Sequence, residues 1–169
     1  MVLSTTLGSS PTMIYFGQEV GEAGKEDAGF GKPSRTSIFD YVGVPNHQKW
    51  MNGGNFDGGK LTDSEKNLRD FYKKLLNFSI NSTALMGKFK EIQTANRDIT
   101  SGYSEGIYSF VRWSASQKLI VVTNFSWVSD ANFELVVPAD VIAAWNLKDG
   151  VYPIKDQLNL SAETALKVE

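Results

Sequence analysis

The chain has 169 residues, enough for a substantial hydrophobic core. Hydrophobic residues make up 41% and charged residues 21%, as in ordinary soluble globular proteins. The net charge is -2 at pH 7 and no basic stripe stands out, so nucleic-acid binding is not expected. No apolar run approaches the roughly 20 residues that span a bilayer. The absence of cysteine excludes disulfides and thiolate metal sites.

Residues 1–10 are mildly apolar but contain no Lys or Arg, so they lack the charged start of a signal peptide. A start inside a longer protein explains them equally well. The absence of cysteine does not assign a compartment, because many secreted bacterial enzymes also lack it. A secreted, periplasmic or cytoplasmic location therefore stays open.

The first predicted element is a short strand at residues 11–17. Its apolar run, Met13–Phe16, is continuous, which is typical of a strand buried on both faces of a parallel sheet. Gly17 and Gly21 indicate a turn directly after it. A core strand of any fold that ends in a glycine turn has the same pattern.

Residues 22–60 are rich in glycine and predict a long irregular segment, the kind of loop that shapes the substrate cleft of barrel enzymes. Asn52, Asn55, Asp57 and Asp63 offer the oxygen ligands that calcium prefers. They do not fit the EF-hand pattern, so no metal site is predicted in this chain.

A helix is predicted from residue 63 to about 78. Thr62 and Glu65 have the spacing of a capping box, in which each side chain bonds the backbone of the other residue. The apolar residues that follow at helical spacing form one stripe, which needs a surface to pack against. They are Leu68, Phe71, Tyr72, Leu75 and Leu76.

From residue 88 onward the pattern changes to short strands. The polar link 114–117 joins two of them into a predicted hairpin with a four-residue loop. Further along, Phe133, Leu135 and Val137 alternate on one face. Several short strands with polar turns predict a small antiparallel sandwich. The strands are expected at 88–93, 106–113, 118–125 and 132–137, with weaker candidates at 151–152 and 166–168.

Four blocks, taken in order, resemble the α-amylase family of glycoside hydrolases. Pro11–Gly21 resembles the last strand of the catalytic (β/α)8 barrel with its turn, and Gly31–Tyr41 resembles the Arg-containing segment that follows it. Leu61–Leu76 resembles the eighth barrel helix. The opening strands of the family's C-terminal β-sandwich are similar to Ala84–Gly87, Tyr108–Arg112 and Leu119–Ser126. The similarity covers most of the chain and is greatest to bacterial α-amylases and neopullulanase-like enzymes.

The resemblance implies a mainly β chain with one long helix. Residues 1–80 would be the remnant of a (β/α)8 barrel with its last strand, loop and last helix. Residues 81–169 would be a truncated, antiparallel C-terminal β-sandwich. The parent enzyme would hydrolyse α-glucosidic bonds in carbohydrate metabolism and would be this chain's intramolecular partner. Calcium is allowed in the parent, while no cofactor or metal is expected in this chain.

Family members resemble one another in using an Asp nucleophile, a Glu acid/base and a second, stabilising Asp, all from earlier barrel strands. None of those motifs occurs in this sequence, including the family's Asn-His-Asp segment. We therefore expect no catalytic residue here and no activity of the chain alone. The structural role of the sandwich would be to cover the barrel and its apolar helix stripe.

Three residues are candidate substrate contacts. Arg35 lies in the Arg-containing segment, where it would organise a loop or contact an outer part of the substrate, although the residue alone favours a surface ion pair over either role. Trp127 and Trp145 lie near predicted loops. The C–H groups on a sugar ring face pack on aromatic rings, although large aromatic side chains usually fill cores. The candidate ligand is an α-glucan oligosaccharide.

Glu19 is expected to anchor the turn after the first strand. The residues expected to be structural in the helix are Leu68, Phe71, Leu75 and Leu76. Two rival interpretations stay open. One is a carbohydrate-binding module that contacts α-glucans through exposed Trp side chains. The other is an independent enzyme with Glu19 and Glu22 as its catalytic pair.

Overall fold

The computed structural model describes residues 1–24, 26–27, 33–35, 44–158 and 164–169, with the backbone alone at 26–27 and 33–35. The chain divides into two units. One is Pro11–Asn77, and the other combines Met1–Ser10 with Phe78–Glu169. Within the described ranges no helix is both long and apolar enough to cross a membrane.

The protein is small and mixed α/β, so the expectation of a mainly β chain is corrected. In chain order the helices are α1 (Val2–Thr6), α2 (Pro45–Met51), α3 (Asp63–Asn81), α4 (Thr94–Arg97) and α5 (Ala139–Ala144). The strands are β1 (Glu26–Asp27), β2 (Pro33–Arg35), β3 (Lys88–Glu91), β4 (Ile107–Trp113), β5 (Lys118–Asn124), β6 (Gly150–Ile154) and β7 (Thr164–Val168). Short 3₁₀ turns lie at Gln18–Val20, Asn52–Gly54 and Thr83–Met86.

The helix α3 begins at the predicted capping box. The Glu65 carboxylate accepts a 2.7 Å hydrogen bond from the Thr62 N–H, and the Glu65 N–H donates to Thr62 Oγ1 at 3.3 Å. The helix continues to Asn81, three residues beyond the expected end. Along its apolar stripe Tyr72 and Leu75 are buried, whereas Leu68, Phe71 and Leu76 are half-buried.

The strand predicted at residues 11–17 is not formed, which corrects the prediction. Met13 is 80% exposed and Tyr15 is 46% exposed, and no sheet of the described residues includes this segment. A strand needs a neighbour for its backbone hydrogen bonds, and the apolar pattern of a segment does not provide one. The turn after it is present: Gly17 (φ 76°) and Gly21 (φ 70°) flank the 3₁₀ turn in the left-handed conformation that suits glycine.

The other unit is organised around an antiparallel sheet with the order β3-β4-β5. The predicted hairpin is confirmed: Trp113 pairs with Lys118 at the loop end, and Ile107 pairs with Asn124 at the far end. The two weaker strand candidates also form, as β6 and β7, and pair antiparallel to each other.

The strand β4 is buried on both faces: Phe110 and Arg112 lie on one face, and Ile107 and Val111 on the other, because alternate residues of a strand point to opposite faces. A hydrophobic cluster forms around Val111. Its buried members are Ile92, Val111, Val141 and Trp145. The partly buried side chains that pack against it are Trp113, Ile120, Leu135, Val137, Leu147 and Leu166. The central sheet, α5 and β7 all contribute to this cluster.

Residues 132–137 keep the predicted alternation without being a strand. Phe133, Leu135 and Val137 are half-buried, while Glu134 and Val136 are exposed. The pattern therefore predicted correctly which side chains turn inward, but the segment is not part of a sheet among the described residues. The backbone of Val136 bonds to the side chain of Asn96 instead of to a strand.

Candidate functional site

The unit Pro11–Asn77 contains an open cleft of about 730 Å³. Residues 14–17 line it together with Glu19, His47 and side chains of α3 that include Arg69 and Leu76. We call it the Phe16 cleft. It combines apolar walls with charged groups, because the exposed segment and the amphipathic helix both contribute to it.

An aromatic cluster lies beside the Phe16 cleft. The His47 ring lies 4.4 Å from the Phe16 ring and 5.9 Å from the Trp50 ring, between centroids. The Trp50 ring lies 5.8 Å from Phe56, and the Arg69 guanidinium lies 4.7 Å from the Trp50 centroid, within cation–π range. His47 is thus half-buried in α2, whereas the sequence indicated a loop.

Glu22 caps the helix α2. Its Oε2 accepts hydrogen bonds from the N–H groups of Asn46 at 2.9 Å and His47 at 3.1 Å, in the first turn. The Asn46 side chain donates in return to the carbonyls of Val20 at 3.2 Å and Gly21 at 2.9 Å. The glycine turn and α2 are therefore tied together. Partners 24 to 26 residues apart leave no local sequence signal, and this network was missed.

Glu19 faces the helix α3. Its Oε1 lies 4.0 Å from Arg69 Nη1, at the limit of an ion pair. Glu19 and Glu22 thus point to different partners, a guanidinium and a helix terminus. In this arrangement Glu22 ties the glycine turn to α2, and Glu19 lies against α3.

The oxygen-rich segment considered for calcium is held by its own hydrogen bonds. Asp57 Oδ1 accepts from Asn52 Nδ2 and from the Gly59 N–H, both at 2.8 Å. These two bonds, with Asn52 contributing most, hold the pKa of the Asp57 carboxyl below its usual value. The residues that the structure describes contain no group of three or more His, Asp or Glu side chains placed to hold a metal ion.

Of the expected substrate contacts, Trp145 is wrong as an exposed platform. It follows α5, is 6% exposed, and its ring lies 6.4 Å from that of Trp113 in the core. Trp127, by contrast, is 94% exposed, with Phe125 at 63% and Val128 at 76% beside it. Arg35 lies in β2, and its side chain, like most of the Gly31–Tyr41 block, is outside the described part of the chain.

A buried arginine was also missed. Arg112 is 3% exposed and donates to four backbone carbonyls of the described residues: Nη1 to Thr6 at 3.2 Å and Leu7 at 2.9 Å, and Nη2 to Leu85 at 2.5 Å and Gly87 at 3.3 Å. Burial lowers the pKa of this guanidinium. Arg112 joins α1 and the 3₁₀ turn Thr83–Met86 to the central strand. It lies in a block that resembles the family, but nothing in the sequence indicated this role.

Comparison of the chain with models of protein families, with curated proteins and with solved structures found no match in any of the three. Functional interpretation therefore depends on the residues and their geometry. The resemblance to α-amylases stays a prediction.

Proposed function

We propose that the chain is the non-catalytic C-terminal portion of an α-amylase-like glycoside hydrolase that acts on α-glucans. Residues 1–80 would be the remnant of its catalytic barrel, and residues 81–169 would form a β-sandwich that stabilises the barrel. The observation that supports this most directly is the exposure of Met13 (80%) and Tyr15 (46%) within a run whose sequence is typical of a fully buried strand.

The physical reason is the cost of leaving that run in water. Burying a large apolar side chain is worth about 1.5–3 kcal/mol relative to exposing it. Neighbouring barrel strands would cover Met13 and Tyr15 and supply backbone hydrogen bonds to the segment. The Phe16 cleft beside the run adds further surface that a larger assembly would cover.

The partners of the two glutamates support a structural role for this region. Glu22 is engaged with the first turn of α2, and Glu19 faces Arg69. Retaining glycoside hydrolysis needs two carboxyl groups about 5 Å apart, one of them kept protonated as the acid. In this proposal both groups come from earlier strands of the parent barrel, and the parent's activity needs no group from this chain.

An assay of the purified chain on soluble starch and on a nitrophenyl α-glucoside tests the proposal. We expect no release of reducing ends or nitrophenol. We also expect that a chain extended by the reading frame upstream of Met1 contains an Asn-His-Asp segment and hydrolyses starch. Starch digestion by the chain alone, abolished by Glu19→Gln or Glu22→Gln, would overturn the proposal and favour the rival enzyme.

Amide hydrogen exchange provides a second test that needs no substrate. The amides of Met13, Ile14 and Phe16 should exchange within seconds in the isolated chain, because no sheet formed by the described residues includes them. They should become protected in the extended chain. Slow exchange across Met13–Phe16 in the isolated chain would show that the segment needs no neighbouring strands.

A further inference from the structure

The sequence contains a single Asn-Gly pair, Asn52–Gly53. In such a pair the backbone nitrogen of the glycine can attack the amide carbon of the asparagine, because the glycine has no Cβ to hinder the approach. Gly53 is exposed and Asn52 is half-buried, and a Cβ at residue 53 would meet nothing within 4 Å. Water can therefore reach the pair, and no neighbouring group blocks the Gly53 side of it.

The backbone conformation of Asn52 keeps the two reacting atoms apart. Asn52 follows α2 in the left-handed conformation, with φ 47° and ψ 49°. At this ψ the geometry of an L-residue places Cβ opposite the nitrogen of the next residue, so the side chain of Asn52 points away from the Gly53 nitrogen. Attack therefore requires rotation about the Cα–C bond of Asn52, and this rotation opens the turn formed by residues 52–59. We call that segment the Asn52 turn.

Hydrogen bonds keep the Asn52 turn closed. The Asn52 side chain donates through Nδ2 to Asp57 Oδ1 at 2.8 Å, and the same oxygen accepts from the Gly59 N–H at 2.8 Å. The Asn52 N–H donates to the carbonyl of Gln48 in α2. The bond to Asp57 holds the reacting amide itself, so its loss should be the step that frees the side chain.

We propose that Asn52 is a gated deamidation site, protected while its amide bonds Asp57 and converted when the Asn52 turn opens. In the open turn the Gly53 nitrogen forms a bond to Cγ of Asn52, and the Cγ–Nδ2 bond breaks. Nδ2 leaves as ammonia with the proton that the Gly53 nitrogen gives up. Water then opens the cyclic imide at either carbonyl, which leaves aspartate or isoaspartate at residue 52.

The product cannot close the Asn52 turn as before. An ionised carboxylate at residue 52 has no proton to donate to Asp57, and the two like charges repel each other. The bond from Asn52 is the main cause that lowers the pKa of the Asp57 carboxyl, so conversion should raise this pKa. Isoaspartate also adds one carbon to the backbone. Conversion is therefore one-way and accumulates with the time that the turn spends open.

Peptide mass spectrometry of the purified chain, incubated in mildly alkaline buffer, tests the inference. We expect conversion at residue 52 to be slow in the native chain and much faster in the chain unfolded in urea. Asp57→Ala should accelerate native conversion roughly threefold to tenfold, the range that corresponds to the loss of one hydrogen bond. Asp70→Ala, the matched control at an exposed aspartate of α3, should convert like the wild type. None of these measurements uses a sugar, so they are independent of the proposed function.

Conversion at Asn81, which precedes Ser82 at the end of α3, reports global unfolding in the same samples. Acceleration by Asp57→Ala that is confined to residue 52 supports the gate. Acceleration at both asparagines, or no acceleration at residue 52, would remove the role of Asp57. Equal rates at residue 52 in native and urea-unfolded wild type, or no conversion there in the native chain, would overturn the inference.

Discussion

The side-chain amide of Asn96 bonds both the N–H and the carbonyl of Val136, as the backbone of a neighbouring strand would. Its Nδ2 donates to the Val136 carbonyl and its Oδ1 accepts from the Val136 N–H, both at 2.8 Å. The same amide donates to the Ile92 carbonyl at 2.8 Å and accepts from Thr100 Oγ1 at 2.9 Å. Asn96 is fully buried, so one side chain fastens the segment 132–137 to the core.

Replacing Asn96 by Ala should lower the free energy of unfolding by about 2–4 kcal/mol, because it leaves backbone groups of Val136 and Ile92 without partners. Urea denaturation measures the change. The matched control is Asn132→Ala, an exposed asparagine of the same segment, which should stay within about 0.5 kcal/mol of the wild type. A similarly small loss for Asn96→Ala would show that the hydrogen bonds of this amide do not stabilise the fold.

Replacing Arg112 by Lys should destabilise the unit and loosen α1. The planar guanidinium donates to the carbonyls of Leu7 and Leu85 at once, and a lysine ammonium cannot reproduce that geometry. We therefore expect the free energy of unfolding to fall by about 2–4 kcal/mol. Hydrogen exchange at the amides of Thr5 and Leu7 should accelerate. Arg97→Lys, at a half-exposed side chain, is the control and should change neither quantity. Unaltered exchange in Arg112→Lys would contradict a role in holding α1.

Replacing Gly87 by Ala should be strongly destabilising for a steric reason. A Cβ at residue 87 would overlap the backbone carbonyl of Trp113, which cannot move without disturbing the β3–β4 pairing. We expect the free energy of unfolding, measured by thermal or urea denaturation, to fall by more than about 2 kcal/mol. At Gly8 a Cβ would meet only the Ser10 nitrogen at 3.8 Å, so Gly8→Ala should be close to neutral. Equal stability of the two variants would refute the close approach.

Glu65 should contribute to the pH dependence of stability. Hydrogen bonds from Lys49 and then from the Thr62 N–H hold the pKa of Glu65 below its usual value of about 4.3. Its stabilisation is therefore complete above that value and is lost as the pH falls through the lower folded-state pKa. Glu65→Gln should lower Tm near neutral pH and reduce the fall in Tm on acidification.

The test is a series of thermal melts from about pH 6 to about pH 3. Glu105→Gln, at an exposed glutamate, serves as the control and should keep the wild-type dependence. If Glu65→Gln follows the wild-type curve at every pH, the capping box does not depend on the ionised carboxylate.

Local signals in the sequence predicted the elements that depend on few neighbouring residues. The capping box at Thr62 and Glu65 lies within four residues, and the 114–117 hairpin is closed by its own loop. Both are present because their determining contacts lie next to each other along the chain. The alternation of Phe133, Leu135 and Val137 was likewise sufficient to predict which face is buried.

Features that depend on distant partners could not be predicted. The run Met13–Phe16 has the composition of a buried strand, but its sequence cannot supply the strands that it would pair with. Trp145 was expected to be exposed, but it lies in the core at the end of α5. The sequence does not reveal how α5 packs on the sheet, and that packing decides whether Trp145 is buried. Arg112 and Glu22 bond to residues far away in the chain, so no motif revealed either of them.

The bonds from Arg112 to Thr6 and Leu7 join residues 106 and 105 positions apart. During synthesis on a ribosome, α1 leaves the exit tunnel long before the arginine that will hold it. The backbone carbonyls of Thr6 and Leu7 therefore gain this donor only after β4 has been made. Docking of α1 on β4 thus closes a loop of about a hundred residues, and the entropy cost of that closure opposes the contact until the rest of the unit supports it.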